Sequence, residues 1–297
     1  MPELQPLSCG HKDKLNEIFR AENSRSADYC FGNFFMWDNR FEQYVSPVEG
    51  RLVTRLTRNG ETWFAFPVGR GDISPALDYM KSYCRGKGIP LKICGICNEH
   101  LPLLGEEFEL FPDRNFSDYI YRVDALSVFS GKQLHSKKNF CNRFEKEHDW
   151  HFEPMSADNL PLCLEMLCKW HEKEDLRLSG SIVYENDALR IAFDSFDELG
   201  LEGGVLFAEG SVVGFSIGEV ISGDTFCVHF EKAFSHIPGA YPMVCRETAK
   251  MIRDKHPEIC YVNREDDMGN DALRKSKLSY KPEYILEKHT AIWHEKE

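Results

Sequence analysis

The most apolar window of the chain, residues 203–223, is interrupted by Glu209, Glu219 and repeated glycines. A membrane-spanning helix needs about 20 consecutive, mostly apolar residues, so this window predicts two short strands instead. The neighbouring patterns then fall into an order. Strands are predicted at 204–208, 212–220 and 225–234, a helix at 242–255, a strand at 259–263 and a helix at 271–277. Two helices precede them. Leu160, Cys163, Leu164, Leu167, Cys168 and His171 follow i, i+3, i+4, i+7 spacing with Ser156 near the cap, and the second helix runs from 185 to 199, stopping at Gly200. His171 on that stripe reads as a hydrogen-bonded core or edge histidine rather than a ligand. Helices around an antiparallel meander make an α+β unit.

The first half carries a looser version of the same order. A helix is predicted at 11–22, followed by an aromatic-rich stretch at 28–37 that reads as core or as a wall between domains. Short alternating runs at 43–45, 51–57 and 62–68 are punctuated by Pro47, Gly50, Asn59-Gly60 and Pro67. The Asn-Gly pair is a strong hairpin signal. A helix at 73–87, ended by Gly88 and Pro90, leads into a strand at 91–94. Cys94 and Cys97 form a lone C-x-x-C pair; with no second pair in the sequence, two thiols at a strand-to-helix turn is the plainer reading than zinc or redox chemistry. No internal repeat is detectable by sequence.

Length allows one or two domains with ample core: 297 residues, 42% of them hydrophobic. Eleven cysteines, an odd number without a dense framework, favour a reducing compartment. No charged start with an apolar signal segment opens the sequence, so a cytoplasmic location is expected. The net charge of −12 argues against bulk nucleic-acid binding. One segment departs from it. Residues 131–146 carry five Lys or Arg against one Glu, a net of +4. On a helix starting near Ser130, the side chains of Lys132, His135, Lys138, Asn139, Asn142, Arg143 and Lys146 fall within an arc of about 140°. Leu134, Phe140, Cys141 and Phe144 fill the opposite side. Lys137 alone is misplaced in the apolar arc, where its stem is expected to lie along the surface while its ammonium reaches water. Such a helix is either a solvated surface element or a donor face for a polyanion.

Here the residues also carry a family resemblance. Tyr121-Arg122, Leu126, Ser130-Gly131-Lys132, His135, Lys137-Lys138-Asn139 and Asn142-Arg143-Phe144 make one block. Asn263-Arg264-Glu265-Asp266-Asp267, Gly269, Leu273-Arg274, Lys277, Ser279-Tyr280 and Pro282 make a second. Both, in this order, resemble the soluble C-terminal domain of bacterial phosphatidylglycerol lysyltransferases and its stand-alone relatives. The resemblance implies two tandem acetyltransferase-like (GNAT) folds, each a mixed, mostly antiparallel sheet flanked by helices. It also implies transfer of an aminoacyl group from charged tRNA. The expected division is an N-terminal unit at 1–128, a basic bridging helix at 129–153 and a C-terminal unit at 154–297. The transmembrane region of the membrane-embedded relatives has no counterpart in this sequence, so the acceptor is left open, lipid being the less attractive choice and peripheral membrane contact remaining compatible.

Acyl transfer to a hydroxyl or amine needs a group that takes the acceptor's proton. In the strand at 225–234, alternation places Phe226, Val228 and Phe230 on one face and Cys227, His229 and Glu231 on the other. His229 and Glu231 are therefore candidate bases, against the alternative of a polar strand face packed under a neighbour, and Glu231-Lys232-Ala233 matches a motif of the family. Glu265 and Asp266 are the other candidate catalytic carboxylates. Asn263, Arg264, Asp267, Arg274, Lys277 and Tyr280 are expected to bind substrate, although Asp266 or Asp267 also suits a helix cap. Lys132, His135, Lys138, Asn139, Asn142 and Arg143 are the expected tRNA contacts. In acetyltransferases of this fold a Gln/Arg-x-x-Gly-x-Gly/Ala loop receives the CoA pyrophosphate. Here the aligned residues are His236-Ile237-Pro238-Gly239-Ala240-Tyr241, so Gly239 and Ala240 make a weakened cofactor loop and CoA is the less favoured donor. No metal is expected. A CoA-dependent N-acyltransferase and a noncatalytic binding module are the alternatives.

Overall fold

The computed structural model describes residues 3–173 and 180–295. Along the first part of the chain run strand β1 (Gln5–Pro6), helices α1 (Lys12–Glu22), α2 (Phe31–Met36) and α3 (Asp38–Phe41), strands β2 (Tyr44–Val48), β3 (Arg51–Arg58) and β4 (Glu61–Ala65), helix α4 (Ser74–Lys87), and strands β5 (Lys92–Cys97) and β6 (Phe108–Pro112). Next come β7 (Asp118–Arg122), α5 (Val123–Val128), α6 (His135–Glu147), β8 (Trp150–Pro154), α7 (Leu160–Lys173), α8 (Gly180–Asp194) and α9 (Phe196–Leu199). The remainder is β9 (Glu202–Ala208), β10 (Ser211–Ser222), β11 (Thr225–Ala233), α10 (Ala240–Lys255), β12 (Tyr261–Asn263), α11 (Asp271–Ser279), β13 (Tyr284–Leu286) and β14 (Lys288–Trp293).

These elements form two compact units. The first comprises Met1–Asp118, Asp266–Asn270 and Ile285–Glu297; the second comprises Tyr119–Glu265 and Asp271–Tyr284. The units are discontinuous, unlike the contiguous division expected from sequence, and the basic helix α6 falls inside the second. The reason is strand exchange along the chain. In the first unit β14, from the chain's end, lies between β5 and β6 in the sheet order β1-β2-β3-β4-β5-β14-β6. In the second sheet, ordered β13-β7-β12-β11-β10-β9-β8, the early strand β7 pairs with β12.

Each sheet contains the same motif, which no sequence repeat announces. An antiparallel meander (β2-β3-β4, β9-β10-β11) leads through a helix (α4, α10) into a strand parallel to the last of the meander. The Asn59-Gly60 hairpin joins β3 to β4, with both residues in the left-handed region, the geometry that a two-residue turn requires. A buried lysine closes the first unit. Lys288 on β14 is 2% exposed and pairs with Asp118 at 2.8 Å and Asp28 at 2.9 Å. Burial alone would lower its affinity for a proton, but the two carboxylates outweigh that and keep it a cation. Cys94 and Cys97 point away from reactivity, since burial pushes both thiols up to about 12.

In the second unit α6 starts later than the sequence predicts. A 3₁₀ turn at Lys132–Leu134 precedes the helix proper at His135. Leu134, Cys141 and Phe144 are buried as expected, whereas Phe140 at the edge of the apolar arc is 46% exposed. The helix is held to α10 by Arg246, whose guanidinium reaches Glu145 at 2.5 Å, and by a close backbone approach at Gly239. That glycine, at φ +92°, caps the start of α10, and a Cβ placed on it would lie 2.6 Å from the Phe140 carbonyl oxygen. Gly60 offers a comparison, with φ +76° but open space around it. Gly60→Ala should cost about 1–2 kcal/mol from left-handed strain alone. Gly239→Ala should cost roughly 1–3 kcal/mol more, because α6 must be displaced. Urea denaturation of the two variants checks the difference, and equal losses would mean that α6 does not press on Gly239.

Candidate active site

The parallel pair β11–β12 is short. It runs from Thr225↔Tyr261 to Cys227↔Asn263, while β11 continues to Ala233. The candidate side chains gather where the two strands part. On the other edge of β11, the register against β10 slips: Phe230 faces Ile217, Val228 faces Gly218, and His229 is the extra residue between them. A bulge of this kind breaks the two-residue alternation. Glu231 consequently does not share a face with His229, which corrects the simple alternation expected from sequence. Glu231 faces Ser216, whose hydroxyl meets Thr248 of α10 at 2.6 Å, so Glu231 points to the α10 side. Cys227 faces Glu219, and with His229 it lies on the other side.

On the α10 side, Glu231 and Arg264 form an ion pair at 2.7 Å, with side chains only 10% and 11% exposed. Arg264 lies 4.6 Å from the ring centre of Tyr280 and 5.5 Å from that of Tyr121. Lys137 does not snorkel to water. Its Nζ sits 3.8 Å over the Tyr280 ring, so two cations share one aromatic face system. Lys277 donates from Nζ to the Arg264 carbonyl, and the Tyr121 hydroxyl donates to the Lys277 carbonyl at 2.8 Å. Arg264 Nη1 is buried without a hydrogen-bond partner. Three cations therefore surround one carboxylate. Burial pushes the Glu231 carboxyl above its usual range, with Arg264, Lys277 and Lys137 only partly offsetting it. Burial likewise lowers the Lys137 ammonium. Cys245, beside them, is held up to about 12 by burial and is not a thiolate at neutral pH.

On the other side, His229 has both ring nitrogens against carboxylates: Nδ1 is 2.8 Å from Glu265 and Nε2 is 3.2 Å from Glu219. Glu265 stands at φ +54°, a conformation uncommon for this residue type. The buried Asn263 holds it there by accepting the Glu265 N–H through its side-chain oxygen at 2.6 Å. Asn263 thus supports the turn from within.

Of the residues predicted from sequence, Glu231, Arg264, Lys277 and Tyr280 come together, and His229, Asn263 and Glu265 form the neighbouring group. Asp266 and Asp267 belong to the first unit. Asp266 accepts the Met268 N–H, while Asp267, fully buried, accepts the Gly269 N–H and pairs with Arg114 at 3.2 Å. Arg274 is half-buried on α11. Lys132, His135, Lys138, Asn139, Asn142 and Arg143 are all exposed, Arg143 pairing with Glu147 one turn away. Tyr121, Lys137 and Cys245 were not expected in a site. The signal for Lys137 was its place in an apolar arc.

Because the folded state holds the Glu231 proton more tightly than the unfolded chain does, this group's contribution to stability is complete below the ordinary carboxylate value of 4.5 and falls as pH rises through its folded value. Glu231→Gln removes that term. The stability of the wild type relative to Glu231→Gln should therefore decline from pH 4.5 upward, measured by urea denaturation across pH; a rising difference would show that Arg264 dominates instead.

A family model described as phosphatidylglycerol lysyltransferase, C-terminal, matches residues 19–292. A conserved protein of unknown function from Bacteroides thetaiotaomicron has a crystal structure 30% identical, covering 99% of this chain and 100% of its own, with a TM-score of 0.93. L-PGS from Bacillus licheniformis is 16% identical over 99% of this chain and 94% of its own, with a TM-score of 0.68. An uncharacterised protein of Mycoplasmoides gallisepticum is 24% identical over 58% of this chain. The chain spans 55% of that relative's length. The fold is shared with a tandem GNAT protein from the clavulanic acid biosynthesis pathway, at a TM-score of 0.52, and with FemX, at 0.60. With the model matched across both units, the chain belongs to the phosphatidylglycerol lysyltransferase C-terminal family.

Proposed function

We propose that the chain transfers an aminoacyl group from charged tRNA to a hydroxyl or amine acceptor, with Glu231 as the proton acceptor. The observation that carries this is the placing of a buried carboxyl of raised basicity inside a cluster of Arg264, Lys137 and Lys277 where β11 and β12 part. A carboxylate above its usual range is the better base near neutral pH. In the reaction the acceptor oxygen or nitrogen attacks the aminoacyl ester carbon and gives its proton to Glu231. The ester C–O bond to the terminal ribose breaks, and the ribose oxygen recovers the proton. Arg264 Nη1, buried and unpartnered, supplies a donor for the oxygen that gains charge between these steps.

The start of α10 favours this donor over CoA. There the Gly239 backbone packs against the Phe140 carbonyl and Phe144 of α6, where a pyrophosphate would have to lie. Ala240 N–H is already bonded to the Ile237 carbonyl at 3.2 Å, and Pro242 has no N–H. The exposed face of α6 supplies Lys138 and Arg143, and the 3₁₀ turn before it Lys132, for the tRNA backbone. The Arg143–Glu147 pair, exposed and worth about 0.3–0.5 kcal/mol, is readily exchanged for a phosphate. Among the described residues no helix is long and apolar enough to cross a membrane. One observation favours a second reading, a noncatalytic binding module. The cavity beside Glu231 is about 10 Å³ and is lined by Leu126, Val228, Cys245 and Arg264, room for about one water, so an acyl group reaches Glu231 only when lining side chains move aside.

Binding of a mixed aminoacyl-tRNA pool, charged against deacylated, is expected to favour the charged pool. Replacing Lys132, Lys138 and Arg143 together by Ala should lower the log–log salt slope by roughly 2–3. Glu231→Gln should leave that binding intact and reduce single-turnover deacylation by about 10²–10⁴-fold. Unchanged deacylation would move the protein to the binding-module reading.

A further inference from the structure

The group on the opposite side of the second sheet takes no part in the proposed transfer, and its atoms converge on one point. Cys227 Sγ lies 3.6 Å from His229 Nδ1 and 3.9 Å from Glu265 Oε1, and Nδ1 is 2.8 Å from the same Oε1. The side chain of His229 is 0% exposed, as is Cys227. A neutral imidazole carries one N–H. If that proton serves Glu219 at Nε2, then a nitrogen lone pair, a carboxylate oxygen and a sulfur face one another. If it serves Glu265 at Nδ1, the Glu219 oxygen faces a bare nitrogen instead. An imidazolium donating from both nitrogens would satisfy the two carboxylates without a metal, but it leaves the Cys227 sulfur converging on the same point, where a single metal cation takes sulfur, nitrogen and oxygen together.

We propose that Cys227, His229 and Glu265 form a binding site for a thiolate-accepting divalent cation, zinc by its chemistry, with Glu219 orienting the imidazole and a fourth position left for water. In tetrahedral zinc sites, with Zn–S of about 2.3 Å and Zn–N and Zn–O of about 2.0–2.1 Å, sulfur and nitrogen ligands stand about 3.5 Å apart and nitrogen and oxygen about 3.3 Å apart. The sulfur–nitrogen spacing already matches. The carboxylate needs to move from Nδ1 by about half an ångström, a small rotation for a side chain that is 20% exposed. Charge closes as well: thiolate and carboxylate neutralise the dication, and the thiol proton leaves to solvent on binding. Glu219 then accepts the Nε2 proton, the carboxylate–histidine–metal arrangement that fixes the ring. Thiolate with imidazole selects zinc over magnesium or calcium, which take oxygen ligands. The fold prepares these positions. The bulge at His229 turns it beside Cys227, and Asn263 holds the Glu265 turn in place.

This site does not depend on the aminoacyl-transfer reading, and its test reads metal rather than activity. The full chain, stripped with chelator, is titrated with cobalt(II) and separately with zinc, with the ultraviolet sulfur-to-cobalt charge-transfer band and bound metal by mass spectrometry as readouts. One metal per chain and a charge-transfer band are expected. Cys227→Ser should abolish the band, and Cys97→Ser should leave it. Glu219→Gln should keep the band while weakening affinity by about 10–100-fold. Should Cys227→Ser fail to fold, Glu265→Gln serves, with a comparable loss of affinity expected. Absence of stoichiometric metal in the wild type, a band that survives Cys227→Ser, or unchanged affinity in Glu265→Gln would overturn the proposal.

Discussion

The second unit depends on a parallel strand pair that ends early. β12 follows β11 only as far as Asn263 opposite Cys227, and beyond that point the two strands are no longer paired. A sheet that stayed paired to Ala233 would bring Glu231 beside another strand's backbone. Instead Arg264 turns in to meet it at 2.7 Å. On the same stretch, the bulge at His229 turns successive polar residues of β11 to opposite sides of the sheet. Gly218 permits it: a Cβ there would lie 2.0 Å from the Cys227 carbonyl oxygen. Early parting and bulge together make two polar groups from one strand, a cationic cluster around Glu231 and a sulfur–nitrogen–oxygen cluster around His229.

Electrostatics separates the two buried charge groups. A buried ion with no partner costs several kcal/mol; the partners of Lys288 outweigh that cost, whereas those of Glu231 offset it only in part. Lys288 in the first unit has two carboxylates within 2.9 Å. Glu231 in the second has Arg264 in contact and Lys137 and Lys277 nearby. The difference between the two lies in the balance. Lys288 sits among negative charges that keep it charged, whereas Glu231 is a single negative charge among more cations than it can neutralise, a setting suited to an anionic or electron-rich ligand. The Tyr280 ring, with Lys137 and Arg264 both drawn to it, gathers that charge into one place.

Much of this was legible in the residues, and what was not has physical causes. The Asn59-Gly60 hairpin, both meanders and the helices ending at Gly88 and Gly200 follow from local turn and capping chemistry, which the sequence carries directly. The two-fold use of one motif was hidden because topology repeats here without a repeated residue pattern. The pairing of β14 with β5 and β6, and of β7 with β12, is non-local and leaves no periodicity to read. Glu231, Arg264, Lys277 and Tyr280, singled out through the family's motifs, lie together, but the faces of β11 were misread, because one inserted residue inverts an alternation of period two. Lys137 was noticed and misjudged: a lysine in an apolar arc reaches water only when nothing on that side receives its charge, and here the Tyr280 ring does. Asp266 and Asp267 followed the motif in sequence, yet the chain crosses between units at Glu265 and takes them into the first.

In the proposed transfer, an aminoacyl ester is opened at Glu231 where β11 and β12 part. The most direct measurement is a photocrosslink from aminoacylated tRNA carrying azido-adenosine at its terminal nucleotide, followed by peptide mapping on the full chain. Crosslinks to the peptides bearing Lys137, Glu231, Arg264 and Tyr280, stronger for charged than for deacylated tRNA, are the predicted result. Crosslinks confined to other parts of the chain, or equal with and without the aminoacyl group, would contradict it.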